Sequence, residues 1–287
     1  ARPAILNDEY VRKYKGKLLL VIDDTIGSKE KSITEEAYDL IPKGLDWLEV
    51  KYDKIIYKSD RLEIYYDYAK KLIDKAYAYV CSCPQNKIRE NRRKGVECPC
   101  RHQTVEETLK LWELMFESKE GEYVLRIKTG MQDKNPAFRD RILFRISERE
   151  HPKVKNKYTV WPLLEFSWAI DDHLLEITHI IRGKELMIES EMEKYIWNIF
   201  NWTHPVIMHS GLLQLEGVKI SKSKSKQEVL SKKYSGWADP RTWSLQSLEK
   251  RGFKPKSIRN FILNFGLTQT EITAPIDILY SENKKLI

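Results

Sequence analysis

Apolar positions along this 287-residue chain change their spacing from segment to segment, and each change marks an element. Ile5, Tyr10, Val11 and Tyr14 recur at helical intervals over 4–14 before Gly16, which predicts an amphipathic helix. The run LLLVI at 18–22 is continuously apolar and ends in Asp23 and Asp24. That is the pattern of a buried parallel strand whose carboxyl end carries chemistry. Helical spacing returns over 34–48 and 60–78, around a short strand in KIIYKS at 54–59. From 79 to about 149 the alternation stops. Two cysteine pairs bracket the basic run NKIRENRRKG, and the helix TVEETLKLWELM follows, with Thr104 and Glu107 spaced as a capping box. EYVLRIKT and ILFRIS then read as strands joined by a polar loop. EITHIIRG is a strand ending at a glycine, 184–200 a helix, and HPVIMHS another strand. Beyond 213 a basic loop precedes helices. The pattern predicts an α/β fold in two halves, 1–78 and 151–212, with an inserted α+β domain at 79–150 and a helical region at 213–287.

Composition and charge sharpen this picture in three places. A hydrophobic content of 41% with 11% aromatics supports packed cores and excludes a disordered chain. No apolar run approaches the roughly 20 residues that cross a bilayer, and no secretory leader is visible, so a soluble cytoplasmic protein without a membrane partner is expected. The formal charge is +8, and residues 211–287 alone hold 14 Lys/Arg against 7 Asp/Glu. A surplus so one-sided attracts a polyanion, or else solvates a basic helix face.

Cys81 and Cys83, and Cys98 and Cys100, form two tight pairs, with Pro84 and Pro99 favouring sharp turns beside them. Four thiolates so arranged can hold a structural Zn2+ tetrahedrally and tie down a segment too small for its own core. Reduced or redox-active thiols are the other reading, and His102 could replace one thiolate.

The stretch GVKISKSKSK places Lys219, Lys222 and Lys224 within six positions, among serines. Ammonium groups on flexible stems bind phosphate as point charges. Before it stands DDHLLEITHIIRGKE at 171–185, and after it GWADPRTW at 236–243. Together with ILNDEYVRKYKGK, IDDT, AYVCSCP and NPAFRD, in this order, these stretches resemble the archaeal-type glutamyl-tRNA synthetases over essentially the whole chain. These are class I enzymes of the glutamyl/glutaminyl branch, with a Rossmann-like nucleotide-binding domain, an inserted acceptor-arm domain and a helical region around the KMSKS loop.

The resemblance implies ligation of glutamate to tRNA(Glu), through an adenylate, with ATP and Mg2+ as co-substrate; tRNA(Gln) is a conceivable second acceptor, and the full-length protein is expected as a monomer. It implies that Lys219, Ser221 and Lys222 lie at ATP, the two lysines as catalytic groups that stabilise charge on departing pyrophosphate. Asp23 corresponds to an acidic residue that holds the substrate ammonium, although Asp23 or Asp24 could instead cap the next element. Arg182 favours glutamate over glutamine, because a guanidinium fork accepts a carboxylate but sets donors against a carboxamide NH2. Arg139, Arg241 and Lys224 correspond to tRNA-facing positions, Arg139 either touching phosphate or pairing with Asp140. Asp171, Asp172 and His173 read as structural, and Trp237 and Trp243 as packing residues.

Three departures qualify the likeness. The family's HIGH segment and first central strand would precede Ala1, and its anticodon-binding barrels would follow Ile287, so both are expected outside this sequence. Val21, Leu164 and Glu176 replace a common arginine, tyrosine and glycine. Two other functions therefore stand beside the first: a glutaminyl-tRNA synthetase, and a non-catalytic tRNA-binding relative. The main expectation is geometric, that Lys222 and Arg182 converge on one cleft.

Overall fold

The first apolar stripe forms helix α1, Arg2–Tyr14, in a computed structural model that describes residues 1–26, 33–218 and 221–287. Ile5 and Leu6 are its buried face, and Lys15 closes it in the left-handed conformation at φ 56°. Strand β1, Leu19–Ile22, follows and pairs in parallel with β2, Lys54–Tyr57, across helix α2, Ala37–Trp47. Of its four residues Ile22 alone is fully buried. The strand is therefore less enclosed than its composition predicts, because β2 is its single partner among the described residues. Helix α3, Leu62–Asp74, continues the α/β pattern.

An antiparallel sheet comes next. Strand β3, Ala78–Cys81, leads through helices α4, Gln85–Lys94, and α5, Val105–Leu114, to β4, Val124–Ile127, and β5, Ile142–Ile146. The order is β3-β4-β5-β6, and the last strand, β6, is Val160–Pro162. The sheet thus runs past residue 150 into the segment where the sequence pattern returns to α/β spacing. The capping box of α5 forms as predicted: Thr104 Oγ1 accepts from the Glu107 N–H, and the Glu107 carboxylate accepts from the Thr104 N–H.

Helix α6, Leu164–Leu174, begins directly after β6. Strand β7, His179–Gly183, helix α7, Met187–Phe200, and strand β8, Val206–Ser210, form a second parallel unit, with Arg182 opposite His209. One core joins these layers. Tyr65 and Tyr66 of α3, Trp112 of α5, Phe144 of β5, Trp161 of β6, Phe166 of α6 and Trp197 of α7 are all buried within it. The insertion and the second half therefore share one interior rather than meeting at a polar boundary.

The remaining chain holds the helices expected beyond 213, with a short strand pair that the pattern did not mark. Strand β9, Leu213–Leu215, leads to helix α8, Lys222–Leu230, and to α9, Leu245–Lys250, and α10, Pro255–Leu263. Strand β10, Ile272–Ala274, pairs in parallel with β9, and α11, Ile276–Lys284, follows. A second core places Ile5 of α1 with Leu48, Val50, Phe253, Ile258 and Phe261.

Helix α1 touches both parts of the molecule. Asp8, buried, receives Arg12 Nε at 2.8 Å, Arg259 Nη1 of α10 at 2.7 Å and the Lys51 N–H at 3.2 Å. Asn7 Nδ2 donates to Ile181 O of β7 at 3.0 Å. Arg2 donates to the carbonyls of Gly211 and Gly266. At Gly211 a Cβ would lie 2.0 Å from Thr270 O, so only glycine lets these two backbone segments cross.

Candidate functional site

The carboxyl ends of β1, β2 and β7 gather a buried charge cluster. Lys58 directly follows β2 and is fully enclosed. Its ammonium donates to Ser167 Oγ of α6 at 2.7 Å and stands 3.3 Å from Asp23 Oδ2. Asp23 turns its other oxygen to Thr25 Oγ1, 2.9 Å away, and is about one-quarter exposed. It thus faces the cluster on one side and stiffens the loop after β1 on the other. Asp24 is buried: it accepts from the Ser59 N–H at 2.8 Å, Ser59 Oγ at 2.6 Å and the Tyr38 hydroxyl at 2.8 Å. Of the two aspartates, Asp24 is the one committed to holding loops together.

His151 extends this framework. Its Nδ1 accepts from the N–H groups of Lys153 and Val154, both at 3.1 Å, so Nε2 carries the proton and donates to Asp24 O at 2.7 Å. A cavity of about 350 Å³ opens here, lined by Asp24, Ile26, Ile33, Arg149, Glu150, His151 and Pro152.

Arg182 lies near the end of β7, nearly buried. Its Nη1 donates to Glu193 Oε1 of α7 at 2.6 Å, and Nη2 stands 3.7 Å from Asp172 Oδ2 of α6. The guanidinium and the Lys58 ammonium share one aromatic surface, lying 4.8 and 5.4 Å from the ring centre of Trp168. Burial pushes the Asp172 carboxyl up to about 6 and that of Glu193 up to about 7, against the opposing pull of Arg182 and Lys58. Chemically this is a largely desolvated cluster in which the cations Lys58 and Arg182 stand among the carboxylates of Asp23, Asp172 and Glu193.

A second site lies on the antiparallel sheet. The sulfurs of Cys81, Cys83, Cys98 and Cys100 all lie within 4.8 Å of one another. Two of the edges, Cys81–Cys98 and Cys83–Cys100, are 3.8 and 3.9 Å. A tetrahedron with metal–sulfur arms of ~2.3 Å has edges of about 3.8 Å, so the four residues fit a zinc ion. Arg126 of β4, itself buried, points Nη1 at the sulfurs of Cys81 and Cys98, 3.8 Å from each. That cation offsets the negative charge a four-thiolate centre carries. His102 stands apart from the four, exposed and 3.3 Å from Glu97.

A family model described as tRNA synthetases class I (E and Q), catalytic domain, matches residues 1–286. The chain belongs to this family. Among curated relatives of this synthetase chain, glutamate–tRNA ligase of Methanocaldococcus jannaschii is 42% identical over 287 residues, covering 100% of the chain and 51% of the relative. That of Thermococcus kodakarensis is 46% identical over 290 residues, covering 100% of the chain and 50% of the relative. The chain thus spans about half the length of the curated relatives it matches. Among solved structures, a glutamate tRNA ligase from Elizabethkingia meningosepticum in complex with its amino acid shares the fold, with a TM-score of 0.68 at 19% identity. That match covers 99% of the synthetase chain and 66% of the other.

Lys219 lies outside the described residues, as does the side chain of Lys222, so the expected convergence of Lys222 on the Arg182 pocket falls there too. Ser221 is the N-cap of α8, its Oγ accepting from the Lys224 N–H at 3.3 Å. Arg139 is engaged within the protein: it donates to Asp133 O and, at the end of α4, to the carbonyls of Arg92 and Arg93. Asp140 instead pairs with Arg101 at 2.8 Å. Arg241 forks onto Asp239 with Nε and Nη2, both at 2.8 Å, and lies over the Tyr234 ring. Trp237 donates to Glu36, and Trp243 carries Arg251 over its face. Asp171 holds Arg61 and Tyr65, each at 2.7 Å, while its neighbour Asp172 faces the pocket.

Lys58, Trp168, Glu193 and Arg126 are site residues that the sequence pattern did not single out. Glu193 left a signal: Ile196 and Trp197, three and four positions on, belong to the buried face of α7. An acidic group on an apolar stripe needs a partner. Arg126 left none, because between Leu125 and Ile127 it alternates onto the other face of the strand and reads as a solvated position.

Proposed function

We propose that this protein ligates glutamate to tRNA through a glutamyl-adenylate. The glutamate α-carboxylate attacks the α-phosphorus of ATP and pyrophosphate departs. A ribose hydroxyl of the terminal adenosine of tRNA then takes the glutamyl group. The observation that carries the reading is Arg182, a nearly buried guanidinium at the end of β7 with Lys58 beside it, in a chain of the E and Q family. Glu193 takes one of the five guanidinium donors, which leaves donors for a substrate carboxylate. Glutamine is the poorer fit, because its NH2 would face those donors. Asp23, partly exposed at the same cluster, is the carboxylate placed to attract the substrate ammonium.

Lys219, Ser221 and Lys222 are assigned to ATP, which enters with Mg2+, and the two lysines to the charge that grows on pyrophosphate. Positioning and charge stabilisation supply most of the acceleration. Lys224 and Arg241 are assigned to tRNA(Glu), and Arg139 serves the same surface by fastening the 133–140 loop to α4. Cys81, Cys83, Cys98 and Cys100 would hold a structural Zn2+ that crosslinks this region. No helix among the described residues is long and apolar enough to cross a membrane; translation in the cytoplasm is the setting this reading assigns, with the full-length protein a monomer.

Pyrophosphate exchange by the full-length protein with glutamate, ATP and tRNA tests the reading. Exchange no greater than that of Lys222→Ala would sink it. Arg182→Ala is expected to weaken glutamate binding by roughly 2–5 kcal/mol, the cost of losing one partner of a desolvated charge pair. It should raise KM for glutamate while leaving that for ATP near its original value.

A further inference from the structure

The charge cluster around Arg182 holds more carboxylates than cations. Lys58 and Arg182 face Asp23, Asp172 and Glu193. Glu193 is completely buried. Its Oε1 takes Nη1 of Arg182, whereas Oε2 is enclosed and has no hydrogen-bond partner among the described residues; Asp172 Oδ2 is in the same position. The groups that bear on Glu193 are Arg182 from β7, Asp172 from α6 and Lys58 from behind β2. From β8, His209 lies near Arg182 and is bonded to Ser190 Oγ of α7 at 3.0 Å.

The proposed ligase activity brings the side-chain carboxylate of glutamate to the same guanidinium, and the role inferred for Glu193 rests on that activity. Two carboxylates on one fork, out of water, cannot both stay ionised at low cost. Glu193 cannot retreat to solvent, because α7 buries it beside Met192, Ile196 and Trp197. Neutralisation is the remaining route. A protonated Glu193 would keep Oε1 as an acceptor for Arg182 and gain at Oε2 an O–H donor, at the atom that lacks a partner.

We propose that Glu193 is a positioning residue that holds the Arg182 fork and takes up one proton from solvent when glutamate binds. The pocket then admits an acidic side chain without adding a net charge to its interior. Burial already raises Glu193 to about 7, so the exchange falls near neutral pH.

Calorimetric titration of glutamate into the full-length wild-type protein at about pH 8, in phosphate and in Tris, counts the protons exchanged. Close to one proton taken up per glutamate is expected, and none in Glu193→Gln. In pyrophosphate exchange, KM for glutamate should rise close to tenfold per pH unit between about pH 7.5 and 8.5 in the wild type. In Glu193→Gln that slope should vanish, while the pH profile of kcat keeps its wild-type shape. Absence of proton uptake in the wild type, or equal uptake and slope in the variant, overturns the proposal and leaves the ligase reading standing. Absence of any glutamate-dependent heat or exchange at every pH sinks both.

Discussion

Lys58 shows how much one residue can carry without announcing itself. In the sequence it is a lysine after a short apolar run, which reads as the solvated end of a strand. In the fold it is fully buried, tied to Ser167 and Asp23, and half of the positive charge opposing three carboxylates. Lys58→Met keeps the length of the stem and removes the ammonium. The variant is expected to lose on the order of 2–4 kcal/mol in stability, because acidic partners are left short of a cation. Denaturant unfolding of the variant beside the wild type measures this; a loss under ~1 kcal/mol would mean that Lys58 is not needed by its neighbours. Arg182 and Asp23 stood out in the sequence because a family likeness pointed at them. Lys58 and Glu193 did not, since their roles arise from packing between segments far apart in the chain, which periodicity does not register.

At the scale of elements, what was legible followed from local chemistry. The capping box of α5, the strand that ends at Gly183 and the two strands across the 128–141 loop all form where the residues predict. Helix α8 was hidden because KSKSKQEVL has no apolar stripe, and its visible signal is the Ser221 cap. The β9–β10 pair was hidden because three-residue strands carry almost no alternation and meet across most of the C-terminal region. Glu176, noted in the sequence as standing where a glycine is common, adopts φ 54° just beyond α6, which accounts for the preference for glycine there. The four-cysteine cluster brings the end of β3 beside the turn after α4. Metal analysis of freshly prepared protein should find one zinc per chain. Cys83→Ser should lower that content and the Tm together; full-strength Tm with no zinc bound would remove the metal from the structure's account.

Across the whole molecule, the boundary drawn from the pattern at residue 150 is crossed by a continuous sheet and by one core. Periodicity could not reveal this, because β6 has the same apolar composition whichever sheet it joins. Helix α1 links the two ends of the fold in a comparable way: Asn7 meets β7, which bears Arg182, and Asp8 meets Arg259 of α10. Removing the Asp8 carboxylate should therefore loosen distant parts in concert. In Asp8→Ala, amide hydrogens of β7 and α10 are expected to exchange with deuterium faster by similar factors, while those of α4 and α5 keep their wild-type rates. Acceleration confined to α10 would show that the two ends open independently. If they open as one, the strand that presents the pocket's guanidinium inherits its rigidity from contacts made on the far side of the first helix. Mutations along that helix would then blur amino-acid recognition without touching the amino acid.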